Sequence, residues 1–220
     1  MPGNKVTVVM DDLTLVESEE KVETLLGCQI QSCLKWQVQV RELKARLSKR
    51  LVGLNHIKYI LPYPTRRAVS DGMFNSVLVY CLPLFGGCDA QHVKELQVLQ
   101  NKAARIVTHS PRRASRQGMF DQLDWLTVKQ LILYHSLLSV YRIRSSQKPE
   151  YLASRLSREN QFRKIILPNT NLSLFRNSFG YRAARDWNLL PSQLKQLKTI
   201  KSFKKELKSW VKREVPRFLD

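Results

Sequence analysis

Apolar residues recur every three or four positions over most of the chain after the first 35 residues. From Val40 to Ile57 they share one arc of a helical wheel, which predicts an amphipathic helix that stops before Pro62. Thr127 and Gln130 form the capping-box pattern at the start of a stretch that is apolar nearly all round, so we expect this helix to be central to its domain. The same spacing predicts further helices over residues 65–81, 89–109, 127–144 and 200–214, a short helix before Trp187, and an extended segment over 165–175.

Shorter apolar runs before the helices predict strands. Residues 6–9 and 13–16 flank Asp11 and Asp12, a two-residue polar break suited to a hairpin turn, and residues 25–30 predict a third short strand. The expected fold class is therefore mainly α with a small N-terminal β-hairpin or meander. The predicted divisions are a β segment over 1–34, a helical bundle over 35–110 and a basic C-terminal helical domain over 111–220, with the basic connection 110–116 as the internal boundary.

Positive charge is concentrated in the later part of the chain. The sequence has 37 Lys and Arg residues against 18 Asp and Glu residues, a net charge of +19. Residues 1–34 carry two basic and six acidic side chains, a net charge of −4, whereas residues 147–220 carry seventeen and six, a net charge of +11. An excess of this size indicates a polyanionic partner, most often nucleic acid.

The cations cluster beside apolar stripes. Residues 35–50 contain six cations and one carboxylate, whereas a merely solvated helix face normally interleaves both signs. We expect contacts to backbone phosphates with little sequence specificity, because Trp36, Phe203 and Trp210 belong to apolar faces and form no stacking platform. The candidate contact residues are Lys35, Arg41, Lys44, Lys49, Lys102, Arg105, Arg112, Arg113, Arg116, Lys201, Lys204, Lys205 and Lys208.

Two acidic residues invite comparison with a polymerase active site. Asp11 and Asp12 follow a β-rich run, as does the carboxylate pair that holds Mg²⁺ in polymerases. A two-metal site needs a further carboxylate from another strand, and the nine residues before Met10 supply none. We interpret the pair as a solvent-facing turn.

The cysteines leave a zinc site open as an alternative. Cys28 and Cys33 are separated by four residues, and Cys81 and Cys88 by six, with His92 one helical turn later. Neither spacing is that of a zinc knuckle, and the apolar surroundings of Cys81 favour a core thiol. We therefore predict no metal, no cofactor and no catalytic residue.

Several motifs stand in the order in which one family carries them. Residues 80–87 read YCLPLFGG, residues 99–108 read LQNKAARIVT and residues 123–128 read LDWLTV. They resemble the Y-C-x-P-x-W-G, L-Q-N-K-A-A-R-x-V-T and L-G-W-L-x-V motifs of non-LTR, jockey-type (LINE-like) retrotransposon reverse transcriptases. Phe85 replaces the family's Trp and Asp124 its Gly, while Ala183 and Ala184 depart from its Gly-Pro. Further similar segments are 25–27, 34–36, 149–152, 178–182, 187–191 and 202–210.

The resemblance covers the region that follows the catalytic palm in that family. It implies a helical thumb followed by a C-terminal helical segment, which together help to hold RNA template and primer. The family's catalytic carboxylates lie much farther upstream of its L-L-G motif than Asp11 and Asp12 lie of Leu25, so no catalytic residue carries over. We therefore expect a chain that binds nucleic acid but is not an enzyme on its own.

Other interpretations remain open at this stage. The partner is expected to be RNA, DNA or an RNA–DNA hybrid, but a co-opted scaffold module could instead bind a palm domain or another protein through an exposed apolar face. The last basic helix could lie on an anionic membrane, although its large aromatics are needed for a core. With no signal peptide and no long apolar run, the sequence predicts an intracellular protein of the nucleus or cytoplasm that is not secreted.

Overall fold

The computed structural model describes residues 22–31, 35–161 and 164–215. Within these ranges the fold is mainly α-helical with one small two-stranded sheet, which confirms the predicted fold class. The elements are β1 (Val22–Leu25), β2 (Cys28–Gln31), α1 (Gln37–Ile57), α2 (Tyr63–Ser70), a π-helical turn (Asp71–Asn75), α3 (Ser76–Val79), α4 (Leu82–Phe85), α5 (Ala90–Thr108), α6 (Arg116–Leu123), α7 (Val128–Ser146), α8 (Glu150–Ser157), α9 (Ser173–Asn177), α10 (Phe179–Leu189), α11 (Ser192–Lys195) and α12 (Ile200–Glu214).

The sheet is an antiparallel hairpin in which Leu25 pairs with Cys28. Its turn residues, Leu26 and Gly27, both have positive φ, 51° and 76°, as a type I′ turn requires. The prediction of one strand over 25–30 is therefore wrong, because Gly27 adopts the left-handed conformation at little cost and the chain reverses there. The strands predicted at 6–9 and 13–16, together with Asp11 and Asp12, lie outside the described residues.

The amphipathic pattern that predicted α1 is confirmed. Lys44 of α1 contacts Glu95 of α5, and Lys58 just after α1 contacts His109 just after α5. Both pairs are 51 residues apart, so the two helices run parallel and their C-terminal ends lie side by side. The buried apolar residues of α1 are Val40, Leu43, Leu47, Leu51 and Leu54.

A first hydrophobic core forms between α1, α5 and the shorter elements around them. The helical stretch predicted over 65–81 is interrupted by the π-helical turn, which directs Phe74 into this core. Phe85 of α4 and Phe120 of α6 are also fully buried in it. The core therefore draws on elements from α1 through the start of α7.

A second hydrophobic core surrounds α7, which contacts α4, α5, α8, α10 and α12, as expected of a central helix. Tyr141 of α7 stacks on Phe203 of α12 with ring centroids 4.2 Å apart, and Trp187 of α10 lies beside the same ring. The capping box of Thr127 and Gln130 is confirmed. The side chains of Thr127 and Gln130 each accept a hydrogen bond from the other's backbone N–H, which fixes the start of α7 between the two cores.

The predicted connection over 110–116 is non-helical only as far as residue 115, because α6, which was not predicted, begins at Arg116. Met119 and Leu123 of α6 pack in the first core, which extends to Val128. The domain divisions at 34/35 and 110/111 stay predictions. The extended segment predicted over 165–175 ends early, because α9 begins at Ser173.

Candidate nucleic-acid interface

The predicted cations of the first helix separate into exposed and paired residues. Lys35, Arg41 and Lys49 are exposed, and none forms an ion pair with another described residue. Lys44 lies at the edge of α1 that faces α5, where its Nζ is 2.7 Å from Glu95 Oε2. The hydrogen bond from Lys44 is the main reason that the pKa of Glu95 is lowered. Lys44 is therefore already partnered, whereas Arg41 and Lys49 face solvent.

On α5, Lys102 is exposed and Arg105 is half-buried. Glu95, Lys102 and His109 are seven residues apart, so they share one edge of the helix. Glu95 and His109 both contact α1 or the residue after it, and this places Lys102 between them along the groove beside α1. The Arg105 Nε is buried without a hydrogen-bond partner among the described residues.

The C-terminal ends of α1 and α5 are held together by a buried arginine. Arg66, only 6% exposed, donates to the carbonyl oxygens of Val107 at 2.7 Å, Lys58 at 2.8 Å and Leu61 at 2.9 Å. The carbonyls of Val107 and Lys58 lie at the C-terminal, negative ends of the α5 and α1 dipoles, where a cation is favoured. The basic connection leaves α5 at this end, and its Arg112 and Arg113 are exposed.

We call this end of the molecule the rim and define it as Lys58, Tyr59, Lys102, His109, Arg112 and Arg113. Arg116, the first residue of α6, is exposed close behind it in the chain. Among the ion pairs of the described residues, none involves Arg112, Arg113 or Lys102. The rim therefore presents positive charge that no described carboxylate neutralises.

The last helix carries a second basic surface, the α12 stripe, defined as Lys201, Lys204, Lys205, Lys208 and Lys212. The first three are exposed and form no ion pair with another described residue. The other two both bind the carboxylate of Asp124, which caps the end of α6. Partial burial raises the pKa of Asp124, but the hydrogen bonds and charges of the two lysines outweigh burial and leave that pKa lowered.

One cation of this second surface was missed by the sequence analysis. The pKa of His135 on α7 is lowered, first by burial and then by the positive charges of Arg142 and Lys204. Arg142 is exposed on α7, the helix against which α12 packs. Because the pattern of α7 is apolar nearly all round, the sequence gave no sign that one of its two exposed cations, Lys129 and Arg142, belongs with those of α12.

The motif residues of the family resemblance lie mostly in the interior. Gln100 is buried and donates to the Leu126 carbonyl oxygen at 2.8 Å, just before α7. Arg182, 7% exposed, donates to the carbonyl oxygens of Asn177 at 2.9 Å and Pro83 at 2.8 Å. These side chains join the first half of the chain to the second from the interior of the protein.

The cysteines lie in apolar surroundings. Burial raises the pKa of the Cys28 thiol to about 11, with its neighbour Cys81 adding to the effect. Burial likewise raises the pKa of Cys88 to about 11. Both thiols are therefore protonated at neutral pH. Residues 22–31, 35–161 and 164–215 contain no cluster of three or more His, Cys, Asp or Glu side chains able to hold a metal ion, and Cys33 lies outside these ranges.

Comparison with known proteins places the chain in no group. No family model and no curated protein matches the sequence, and no solved structure matches the fold. Among the helices of the described ranges, none combines the length and the apolar character needed to cross a bilayer.

Proposed function

We propose that this protein binds nucleic acid through backbone phosphates, in the manner expected of the thumb and following region of a non-LTR retrotransposon reverse transcriptase. One observation carries the proposal. Nine of the thirteen candidate cations are exposed and form no ion pair with another described residue: Lys35, Arg41, Lys49, Lys102, Arg112, Arg113, Lys201, Lys204 and Lys205.

The arrangement of these cations supports contacts to phosphates more than contacts to base edges. They lie on the solvent face of α1, at the rim and on the first turns of α12, and all nine are Lys or Arg side chains. Lys and Arg contacts to phosphates fix position without reading sequence. RNA–DNA hybrids are close to A-form, so a surface of this kind recognises them by backbone shape.

The salt dependence of binding tests the proposal. If about six phosphates are neutralised, the logarithm of the association constant should fall with the logarithm of salt concentration with a slope of roughly −5 on duplex DNA. Lys49→Ala should flatten this slope by about 0.9, the value of one phosphate contact. Lys44→Ala is the matched control on the same helix and should flatten it less, because Lys44 is bound to Glu95. Absence of binding at low salt would overturn the proposal.

A second candidate function is supported by the β-hairpin. Leu25 and Leu26 at its turn are 61% and 83% exposed, and Tyr80, whose hydroxyl donates to the Leu26 carbonyl oxygen, is 48% exposed. Such an apolar tip suits a protein partner, of which a palm domain is the example that the family resemblance implies. A pull-down that survives nuclease treatment and is lost in Leu26→Asp would favour this candidate over nucleic-acid binding.

A further inference from the structure

The most exposed large aromatic ring in the described structure that stands beside positive charge is Tyr59. It is 80% exposed, and the following Ile60 is 77% exposed. The Lys58 Nζ lies 4.7 Å from the centre of the Tyr59 ring, and the His109 ring meets it edge-on with centroids 5.5 Å apart. The sequence predicts no aromatic among the cations, but the structure places Tyr59 beside Lys58 and His109.

Hydrogen bonds to the backbone on both sides of Tyr59 fix its position. Arg66 binds the carbonyl oxygens of Lys58 and Leu61, on either side of Tyr59 and Ile60, and ties them to Val107 at the end of α5. His109 Nε2 lies at hydrogen-bonding distance, 2.8 Å, from the same Lys58 oxygen. A segment whose flanking carbonyls are held in this way presents its aromatic ring in a defined place, so little conformational entropy is lost when a ligand covers the ring.

The surroundings of the ring identify the kind of ligand. Lys102 lies on the same edge of α5 as His109, and Arg112 and Arg113 follow three and four residues after His109 in the exposed connection. His109, which contacts the Tyr59 ring, is the point at which the helix edge carrying Lys102 and the connection carrying Arg112 and Arg113 meet. Aromatic faces next to cations bind unpaired bases of any sequence, because every base offers a π-face. A continuous duplex keeps its bases stacked inside and cannot use such a ring.

We propose that Tyr59, supported by His109, is a stacking platform for an unpaired base of single-stranded nucleic acid whose phosphates are held by the rim. This inference rests on the proposed function and adds to it the class of substrate, a strand with at least one unpaired base. A protein partner that covers Tyr59 and Ile60 is the competing occupant, and it is an outcome of the test below.

The test compares a 12-nucleotide oligothymidylate with an abasic oligonucleotide of the same length and charge, using fluorescence anisotropy with the full chain. The wild-type protein should bind the oligothymidylate about tenfold more tightly than the abasic strand. Tyr59→Ala should abolish this preference by weakening binding of the oligothymidylate alone, and Tyr59→Phe should retain it. Because Tyr59 is uncharged, neither variant should alter the salt slope. Oligouridylate in place of oligothymidylate separates RNA from DNA as the source of the base.

The outcomes separate the two proposals. If the wild-type protein and Tyr59→Ala each bind the oligothymidylate and the abasic strand with equal affinity, the stacking proposal is wrong but the proposal of phosphate binding is unaffected. Equal weakening of both strands by Tyr59→Ala would overturn it as well, because it assigns Tyr59 a structural role. A pull-down of protein that resists nuclease and is lost in Tyr59→Ala would assign the ring to a protein partner. Binding of neither strand at low salt would overturn the proposed function itself.

Discussion

The rim and the α12 stripe are both rich in cations, but they differ in what surrounds the charge. At the rim, the described residues provide no carboxylate partner for Lys102, Arg112 or Arg113. On the α12 stripe, Lys208 and Lys212 share the carboxylate of Asp124. A cation held by a carboxylate must give up that partner before it contacts a phosphate, so equal charge does not mean equal capacity to bind.

The difference teaches that pairing decides which cations are available. Asp124 lies 84 residues before Lys208, and Glu95 lies 51 residues after Lys44. Charge counted in windows along the sequence assigns these carboxylates to other segments. In the folded protein these carboxylates lie beside the basic helices and form ion pairs with Lys44 and Lys208, which are therefore not unpaired cations.

The largest expected effect is a loss of stability when Arg66, the buried residue beneath the rim, is replaced. Arg66→Ala leaves the carbonyl oxygens of Val107, Lys58 and Leu61 without their donor. We expect the free energy of unfolding to fall by roughly 3 to 5 kcal/mol, because each buried acceptor left unpaired costs about 1 kcal/mol or more. Urea unfolding followed by circular dichroism measures it. Arg112→Ala, an exposed control, should change stability by less than about 0.5 kcal/mol, and equal midpoints for the two variants would contradict the role of Arg66.

The next effect tests the joint between the two halves of the chain. A Cβ on Gly87 would lie 2.2 Å from the Asn177 carbonyl oxygen and 2.8 Å from Arg182 Nε. Gly87→Ala should therefore destabilise the protein by about 1 to 3 kcal/mol. Gly53→Ala is the matched control within α1, where nothing lies within 4 Å of the added Cβ, and it should stabilise by about 0.5 to 1 kcal/mol. Unfolding midpoints that move in the same direction would contradict this packing.

The long helices can be predicted from the periodicity of apolar residues alone, whereas the short segments that connect them cannot. Long helices such as α1 and α12 contain enough apolar residues at helical spacing to be predicted from the sequence. The eight residues of α6 include Gly118 and only a few apolar positions, so their pattern is too short to predict a helix. Tyr59 is followed by two apolar residues and gave no sign of exposure, yet it is 80% exposed between two carbonyl oxygens that Arg66 binds.

A smaller effect sharpens the comparison by freeing the paired lysines of the α12 stripe. Asp124→Asn keeps a residue that tolerates the left-handed conformation at this position, φ 55°, but removes the charge that holds Lys208 and Lys212. We expect tighter nucleic-acid binding at low salt and a salt slope steeper by about 1 to 2. Unchanged binding would show that the stripe lies off the path of the nucleic acid.

The pH dependence of stability gives the smallest signal. Because the folded-state pKa of Asp124 is lowered, its ion pairs contribute stability above the ordinary pKa of the carboxyl and lose it as pH falls through the folded-state value. The difference in unfolding free energy between wild type and Asp124→Asn should therefore shrink on acidification. Since Asp124 is 54% exposed, the difference at neutral pH should stay below about 1 kcal/mol. A difference that grows at low pH would contradict this assignment.

The most direct test of the account compares two triple variants that remove the same charge. One removes the rim cations Lys102, Arg112 and Arg113, and the other removes the exposed cations Lys148, Arg155 and Arg158, which lie at and around α8. Salt titrations of single-stranded binding should give a slope flatter than wild type by about 2 to 3 for the rim variant and by less than about 1 for the α8 variant. Equal flattening by both would mean that net charge, not the rim, determines binding, and would contradict the account.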